Sequence, residues 1–253
     1  MRGLPKFKLL LAVAFITINP QALSCGLEAV EYFAHELKRG ERSRPLELSE
    51  AQTLLAHVNK VHDQTESLRL RPTKTVKLGE NLAASGYNNA GVFEIGKNFV
   101  VKFAHAFNLK KSLLLHAVIG ELGLAPRVRG VIKGEPLKQL ASDNRINLIA
   151  EFTGATSDAA IIMDRFDGWN PKDGKAPEWF RQLDRVEIEN QIRNLFKMLE
   201  TLHIENIHDP QVMISRSGKV QLIDLEMINY LPNAKVDNRS GIAYVLQTIE
   251  ENR

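Results

Sequence analysis

Between residues 74 and 104 the chain reads as short extended segments joined by turns, and no other stretch limits the fold so narrowly. "TVKLGENLA", "GVFEI" and "NFVVKFA" hold Val, Ile and Phe, which suit a pleated surface. They are separated by "ASGYNNAG" and by "GKN", a tight hairpin turn. Connections this short make neighbouring strands antiparallel, so a meander is expected here.

Helical patterns flank it. Leu27, Val30, Phe33 and Leu37 recur at spacings of three and four, and after the interruption "RGERSRP" a capping box of Ser49 and Gln52 precedes Leu54, Leu55 and Val58. A helix is expected from Asn108 to about Gly123, ended by "GLAP". Strand-like pieces follow at "RVRGVI", "NLIAEF" and "AAIIMDRF", and "GWNPKDGKAPEW" reads as loop. Residues 184 to 203 align Ile188, Ile192, Leu195, Leu199 and Leu202 on one helical face, and a last helix is expected at about 238 to 251. The mixture predicts an α+β fold. Residues 25–72 form a helical extension ahead of a domain at 73–253.

With 44% hydrophobic residues a sizeable core can form. The 33 basic and 30 acidic residues are dispersed, so no basic run nominates nucleic acid as a partner. At the N-terminus, Arg2, Lys6 and Lys8 precede apolar Leu9 to Ile18, then Asn19-Pro20 and the small-x-small pattern of Ala22-Leu23-Ser24. Residues 1–24 therefore read as a signal peptide and not as a transmembrane span, which implies export to a secreted or periplasmic location. Cys25, the only cysteine, follows the proposed cut and is a candidate for lipid attachment, although Ala22 stands where a lipobox has an aliphatic residue. A single cysteine leaves no internal disulfide, so packing must hold the fold.

Three features point to chemistry. Gly79, Gly86 and Gly91 interrupt the first hairpin; such glycines let backbone N–H groups approach a phosphate, or are simply turn residues. Lys102 in "FVVKFA" shares a strand face with Val100 and must either reach solvent or meet an anion. In "IHDPQVMISRSGKVQLIDLE" the turn "RSG" joins two short strands, placing Asp209 and Asp224 at the same end of a hairpin. Carboxylates so placed can divide the work, one binding a divalent ion and the other taking a proton from a hydroxyl.

In this order the pieces resemble the protein-kinase-like superfamily over residues 74 to 229. The resemblance implies a two-lobed fold with a small lobe at about 73–163, a reduced large lobe at about 167–253 and the N-terminal helical extension. It implies transfer of the γ-phosphoryl of ATP to a hydroxyl with magnesium or manganese. Gly79, Gly86 and Gly91 would cover the nucleotide phosphates and Lys102 would hold the α and β phosphates. Met163, Asp164 and Phe166 would face the adenine, Asp209 would be the catalytic base, and Asp224 would bind metal. The chain departs from the family's His-Arg-Asp loop: His208 adjoins Asp209, Pro210 follows, and the amide 13 residues before Asp224 is Gln211, nominated as the second metal contact. Leu225 and Glu226 replace the Phe and Gly after the metal-binding Asp, and Glu226 either binds metal or caps the strand. The helix glutamate that pairs with the strand lysine would fall near His116; Glu121 lies at the wrong end of that helix. With 29 residues after Asp224, the closest likeness is to minimal kinases that bacteria secrete as effectors, whose partner would be a protein substrate in a host or target cell. The alternatives are a catalytically dead binding module, a small-molecule phosphotransferase and an enzyme that transfers AMP.

Overall fold

The computed structural model describes residues 26–40, 42, 44–72, 76–83, 89–105, 109–110, 112–150, 154–225 and 228–253. The proposed signal peptide, Cys25, Gly86 and Glu226 lie outside them. The chain is a mixed α+β structure with seven helices among the described residues and a five-stranded antiparallel sheet.

The meander supplies three strands, β1 (Asn81–Ala83), β2 (Asn89–Ile95) and β3 (Phe99–Ala104). With β4 (Val128–Lys133) and β5 (Ala159–Asp164) they give the order β1-β2-β3-β5-β4. The first strand is shorter than its sequence suggests. Ahead of it, Gly79 N–H donates to the Glu94 carbonyl at 2.9 Å, and Glu94 N–H donates to the Glu80 carbonyl at 3.1 Å. Strand alternation then makes two faces. Phe93, Val101, Phe103, Ala160 and Ile132 pack on one side with Leu137 and Leu140 of a helix over Glu135–Asp143. Val100, Ala104, Ile161, Met163, Val128 and Val131 face the larger core on the other.

In chain order the helices are α1 (Gly26–Arg39), α2 (Leu48–Val58), the single turn α3 (Gln64–Ser67), α4 (Leu113–Glu121), α5 (Glu135–Asp143), α6 (Arg185–Thr201) and α7 (Arg239–Glu251). Of these, α5 is not expected from the sequence, because its buried apolar residues are few, Leu137, Leu140 and Ala141, the two leucines lying on the sheet. The segment "NLIAEF" is not a strand over its described residues, where Ile149 makes a single bridge to Thr156. The capping box of α2 also differs. Glu47 and Glu50 form it, Glu47 N–H donating to Glu50 Oε2 at 3.0 Å, and Arg44 clamps Glu50 from 2.7 Å, so the helix begins ahead of Ser49. No helix among the described residues is long and apolar enough to cross a membrane.

Every residue of α4 is buried, the mark of a helix enclosed on all sides. α2 and α3 cover one flank and the sheet another. Val30, Phe33, Leu37, Leu54, Leu55 and Val58 of the first two helices belong to the same core as Leu113, Leu114, Ala117 and Val118 of α4. Gly120 is required where α4 meets the chain returning to β4, since a Cβ there would stand 2.9 Å from the Pro126 carbonyl oxygen. Gln64, almost fully buried, ties the extension to the N-terminus of α4: Leu114 N–H donates to its Oε1 at 2.8 Å and its Nε2 donates to the Val58 carbonyl at 3.2 Å. Helix N-termini leave N–H groups without intrahelical partners, and this side chain supplies one from fifty residues away.

Replacing Gln64 by Ala takes the partner from the buried Leu114 N–H and leaves the Val58 carbonyl with only its bond from Val61 N–H. Urea denaturation should show a loss of about 2 kcal/mol, and an unchanged midpoint would mean that the extension does not hold α4.

Candidate functional site

The alternation of β3 puts Lys102 on the core side with Val100 and Ala104, where it is 8% exposed. An ammonium group there cannot reach bulk water, so it needs an anion. The anion comes from 122 residues away: Lys102 Nζ stands 2.5 Å from Asp224 Oδ1.

A hairpin delivers that aspartate. After the short strand β6 (Ile204–Glu205), β7 (Gln211–Ile214) pairs with β8 (Val220–Ile223) in the register Gln211↔Ile223, Val212↔Leu222, leaving Asp209 and Asp224 at its open end. Both aspartates have positive φ, +53° and +55°, a conformation that Asp tolerates better than most residues. The hairpin is pinned twice. Leu222 N–H donates to the Leu124 carbonyl at 2.8 Å and Gln221 Nε2 to the Gly123 carbonyl at 3.1 Å, fixing β8 to the turn after α4. Trp169 and Ile214 exchange backbone hydrogen bonds of 2.8 and 2.9 Å, fixing β7 to the segment that leaves β5. Gly168 permits this approach, because a Cβ there would lie 2.5 Å from the Ile214 carbonyl oxygen.

Around the pair stand polar groups from three segments. Gln211 Nε2 donates to Asp224 Oδ2 at 3.5 Å, and Asn170 Nδ2 donates to Gln211 Oε1 at 3.3 Å. Asp209 has partners of its own. Lys172 Nζ lies 2.6 Å from each of its carboxylate oxygens, and the Tyr244 hydroxyl donates to Oδ1 at 2.9 Å. Lys172 nevertheless lies within electrostatic reach of Asp224 as well as Asp209, so the two carboxylates share one cationic neighbourhood. Burial pushes the Asp224 carboxyl up, but the charge and hydrogen bond of Lys102 outweigh it and hold the group below the usual carboxylate range. Burial lowers Lys172, and the hydrogen bond and charge of Asp209 more than reverse this, leaving it above an ordinary lysine.

Two buried titratable groups sit on α4. His116 is pushed down to about 4, first by burial and then by the charge of Lys102, against a smaller upward pull from Asp224; its Nε2 has no hydrogen-bond partner. Glu121 is pushed up by burial, while Arg127 at 3.7 Å and Arg42 at 3.6 Å oppose the shift. Lys102 therefore pairs with Asp224, and the α4 position where a glutamate was sought holds a neutral histidine.

The sequence matches no family model and no curated protein.

The remaining candidates are distributed as follows. Gly79 has its N–H engaged with Glu94, and Gly91 lies within β2 opposite Phe103 at a register break, with φ of +121°. Met163 is buried at the end of β5 in register with Val100 of β3, on the Lys102 side of the sheet. Asp164 forms a two-point pair with Arg129 at 2.6 and 2.7 Å, and Phe166 carries Lys219 over its ring at 5.9 Å. Sequence reading missed Lys172, Asn170 and Tyr244. The only local signal was Asn170-Pro171, where the Asn170 side chain accepts from Lys172 N–H at 3.1 Å and aims the lysine. Tyr244 on α7 had none.

Among the described residues no three His, Cys, Asp or Glu side chains form a metal cage. A magnesium nucleotide does not need one, since magnesium takes one or two protein oxygens and completes its shell with phosphate and water. Asp224 Oδ2 and the Gln211 amide oxygen fit that role once the amide turns over, and Asp224 keeps 37% of its side chain open to solvent. Lys102, already drawn to an oxyanion, fits a phosphate equally well.

The neutral His116 makes stability pH-dependent. Its folded pKa of about 4 lies below the ordinary histidine value of 6.5, so its full contribution is present above pH 6.5 and is lost as pH falls towards 4. Between pH 7 and 4.5 the wild type should lose about 2 kcal/mol more in urea denaturation than His116→Phe; equal losses would refute the assignment. Glu121, raised and common to both proteins, acts in the opposite direction and cancels in the comparison.

Proposed function

We propose that the chain is an ATP-dependent phosphotransferase of protein-kinase-like build, transferring the γ-phosphoryl group to a hydroxyl. The observation that carries this reading is the Lys102–Asp224 pair, formed by a buried lysine on the inner face of an antiparallel sheet and an aspartate at the open end of a distant hairpin. A structural ion pair does not require a second carboxylate, a lysine and an amide gathered around the same opening. A nucleotide with its metal uses all of them.

In this reading the sheet with α4 is the small lobe and residues from 167 onward are the reduced large lobe. Lys102 leaves Asp224 for the α and β phosphates. Asp224 and Gln211 hold magnesium or manganese, which neutralises charge on the phosphates when bound. Asp209 orients the acceptor hydroxyl and receives its proton. Lys172, paired with Asp209 and within electrostatic reach of Asp224, steadies the transferring group. The acceptor is taken to be a protein, in a host or target cell reached by export, with a small molecule as the alternative.

A second reading, a catalytically inert nucleotide-dependent binding module, is favoured by two observations. His116 stands where a carboxylate would pair with Lys102, and Lys172 neutralises Asp209.

Two measurements separate these readings. ATP with magnesium should raise the melting temperature, and Asp224→Asn should remove the dependence on metal; at a hundredfold excess over Kd the stabilisation is about 2.7 kcal/mol. With ATP labelled at the γ phosphate, transfer should fall by about 10²–10⁴-fold in Asp209→Ala. Metal-dependent binding with no transfer selects the inert module, label retained from the α phosphate selects AMP transfer, and no binding at all removes the nucleotide reading.

A further inference from the structure

Among the described residues, Tyr244 is the one hydroxyl that hydrogen-bonds to Asp209. It projects from the first half of α7, and its Oη donates to Asp209 Oδ1 at 2.9 Å, the distance at which a general base takes a proton from a nucleophile. The same carboxylate carries Lys172 on both oxygens, and Lys172 extends the cluster electrostatically to Asp224. Tyr244 thus stands where the proposed mechanism puts its acceptor. The contact is not forced by packing: the tyrosine is 39% exposed, and the buried positions of α7 are Gly241, Val245 and Ile249. Burial and then the hydrogen bond to Asp209 raise the Tyr244 pKa, so the hydroxyl stays protonated and needs a base at neutral pH.

Resting on the phosphotransferase reading, we propose that Tyr244 is an intramolecular acceptor, phosphorylated by the chain's own site. In the step, the Tyr244 O–H proton passes to the Asp209 carboxylate and the phenolic oxygen forms a bond to the γ phosphorus of ATP. The bond between that phosphorus and the β–γ bridging oxygen breaks, and ADP leaves with the electron pair. The product is phosphotyrosine beside Lys172, whose ammonium can pair with the new phosphate. Because phosphotyrosine and an ionised Asp209 repel, the modification turns the exposed Tyr244 side chain away from the carboxylate and opens the position to an external hydroxyl. The same event therefore supplies a self-limiting switch.

The test incubates the full chain with ATP and magnesium or manganese, maps phosphate by mass spectrometry, and follows ADP release beside Asp209→Ala and Tyr244→Phe. Phosphate on Tyr244, at a rate per molecule independent of protein concentration and lost in Asp209→Ala, supports the assignment. ADP release, or phosphate on other residues or on an added glutamate–tyrosine copolymer, with Tyr244 unmodified overturns it while leaving phosphotransfer intact. Tyr244 modification that persists in Asp209→Ala, or whose rate rises with protein concentration, also overturns it. Absence of both ADP release and metal-dependent ATP binding removes the phosphotransferase reading and this inference together. Tyr244→Phe guards the mapping, because its ring preserves the packing and its spectrum must lack the modified peptide.

Discussion

A lysine ammonium group inside an apolar sheet face is the constraint around which the rest is arranged. Taking Lys102 out of water costs several kcal/mol, and Asp224 meets the charge at 2.5 Å. The hairpin that carries Asp224 must therefore be held in place, and it is, by backbone bonds to Leu124 on one side and Trp169 on the other. The same charge explains His116, whose protonation would set a second cation beside Lys102; burial and that repulsion together keep it neutral. Truncating either member of the pair removes the main counter-charge of the other, which is why such pairs add little net stability yet punish disruption. A phosphate and a metal can take over both partners without leaving a charge bare.

α4 transmits this arrangement through the molecule. It is buried along its whole length, touches the extension through Gln64, crosses the return chain at Gly120, and ends at the turn whose carbonyls receive β8. The N-terminal helices thereby become part of the framework of the site. Their core is continuous with that of α4, so anything that loosens them changes the wall on which His116 sits. Asp209 is held differently, by two exposed partners on separate segments, Lys172 and Tyr244. Asp224 is anchored by a buried lysine and Asp209 by two exposed partners, which suits a division between holding charge and moving a proton.

Much of this was legible in the residues. Short β-branched and aromatic segments with a two- or three-residue turn determine an antiparallel meander, because the connection leaves no other geometry. The apolar stripe of Ile188, Ile192, Leu195 and Leu199 determines α6, and strand alternation places Lys102 beside Val100. The closing turn "RSG" puts Asp209 and Asp224 at one end of a hairpin, since register follows from the turn. Capping and α5 were less legible. Glu47 outcompeted Ser49 through its reciprocal bond with Glu50 and the Arg44 clamp, and α5 is stabilised mainly by the sheet face it covers.

What only the tertiary structure decided is which polar groups meet. Local sequence leaves Lys102 free to point at solvent or at an anion, and its partner lies 122 residues away, beyond the reach of any period or motif. Likewise nothing near Asp209 announces Lys172 and Tyr244, which arrive from a loop and from the last helix. Backbone preferences and hydrophobic periods act over a few residues, so the sequence alone determines the elements and the faces they bury. Coulombic and hydrogen-bond partners are chosen after those faces have packed, because desolvation makes an unpaired charge costly only once the surrounding water is gone.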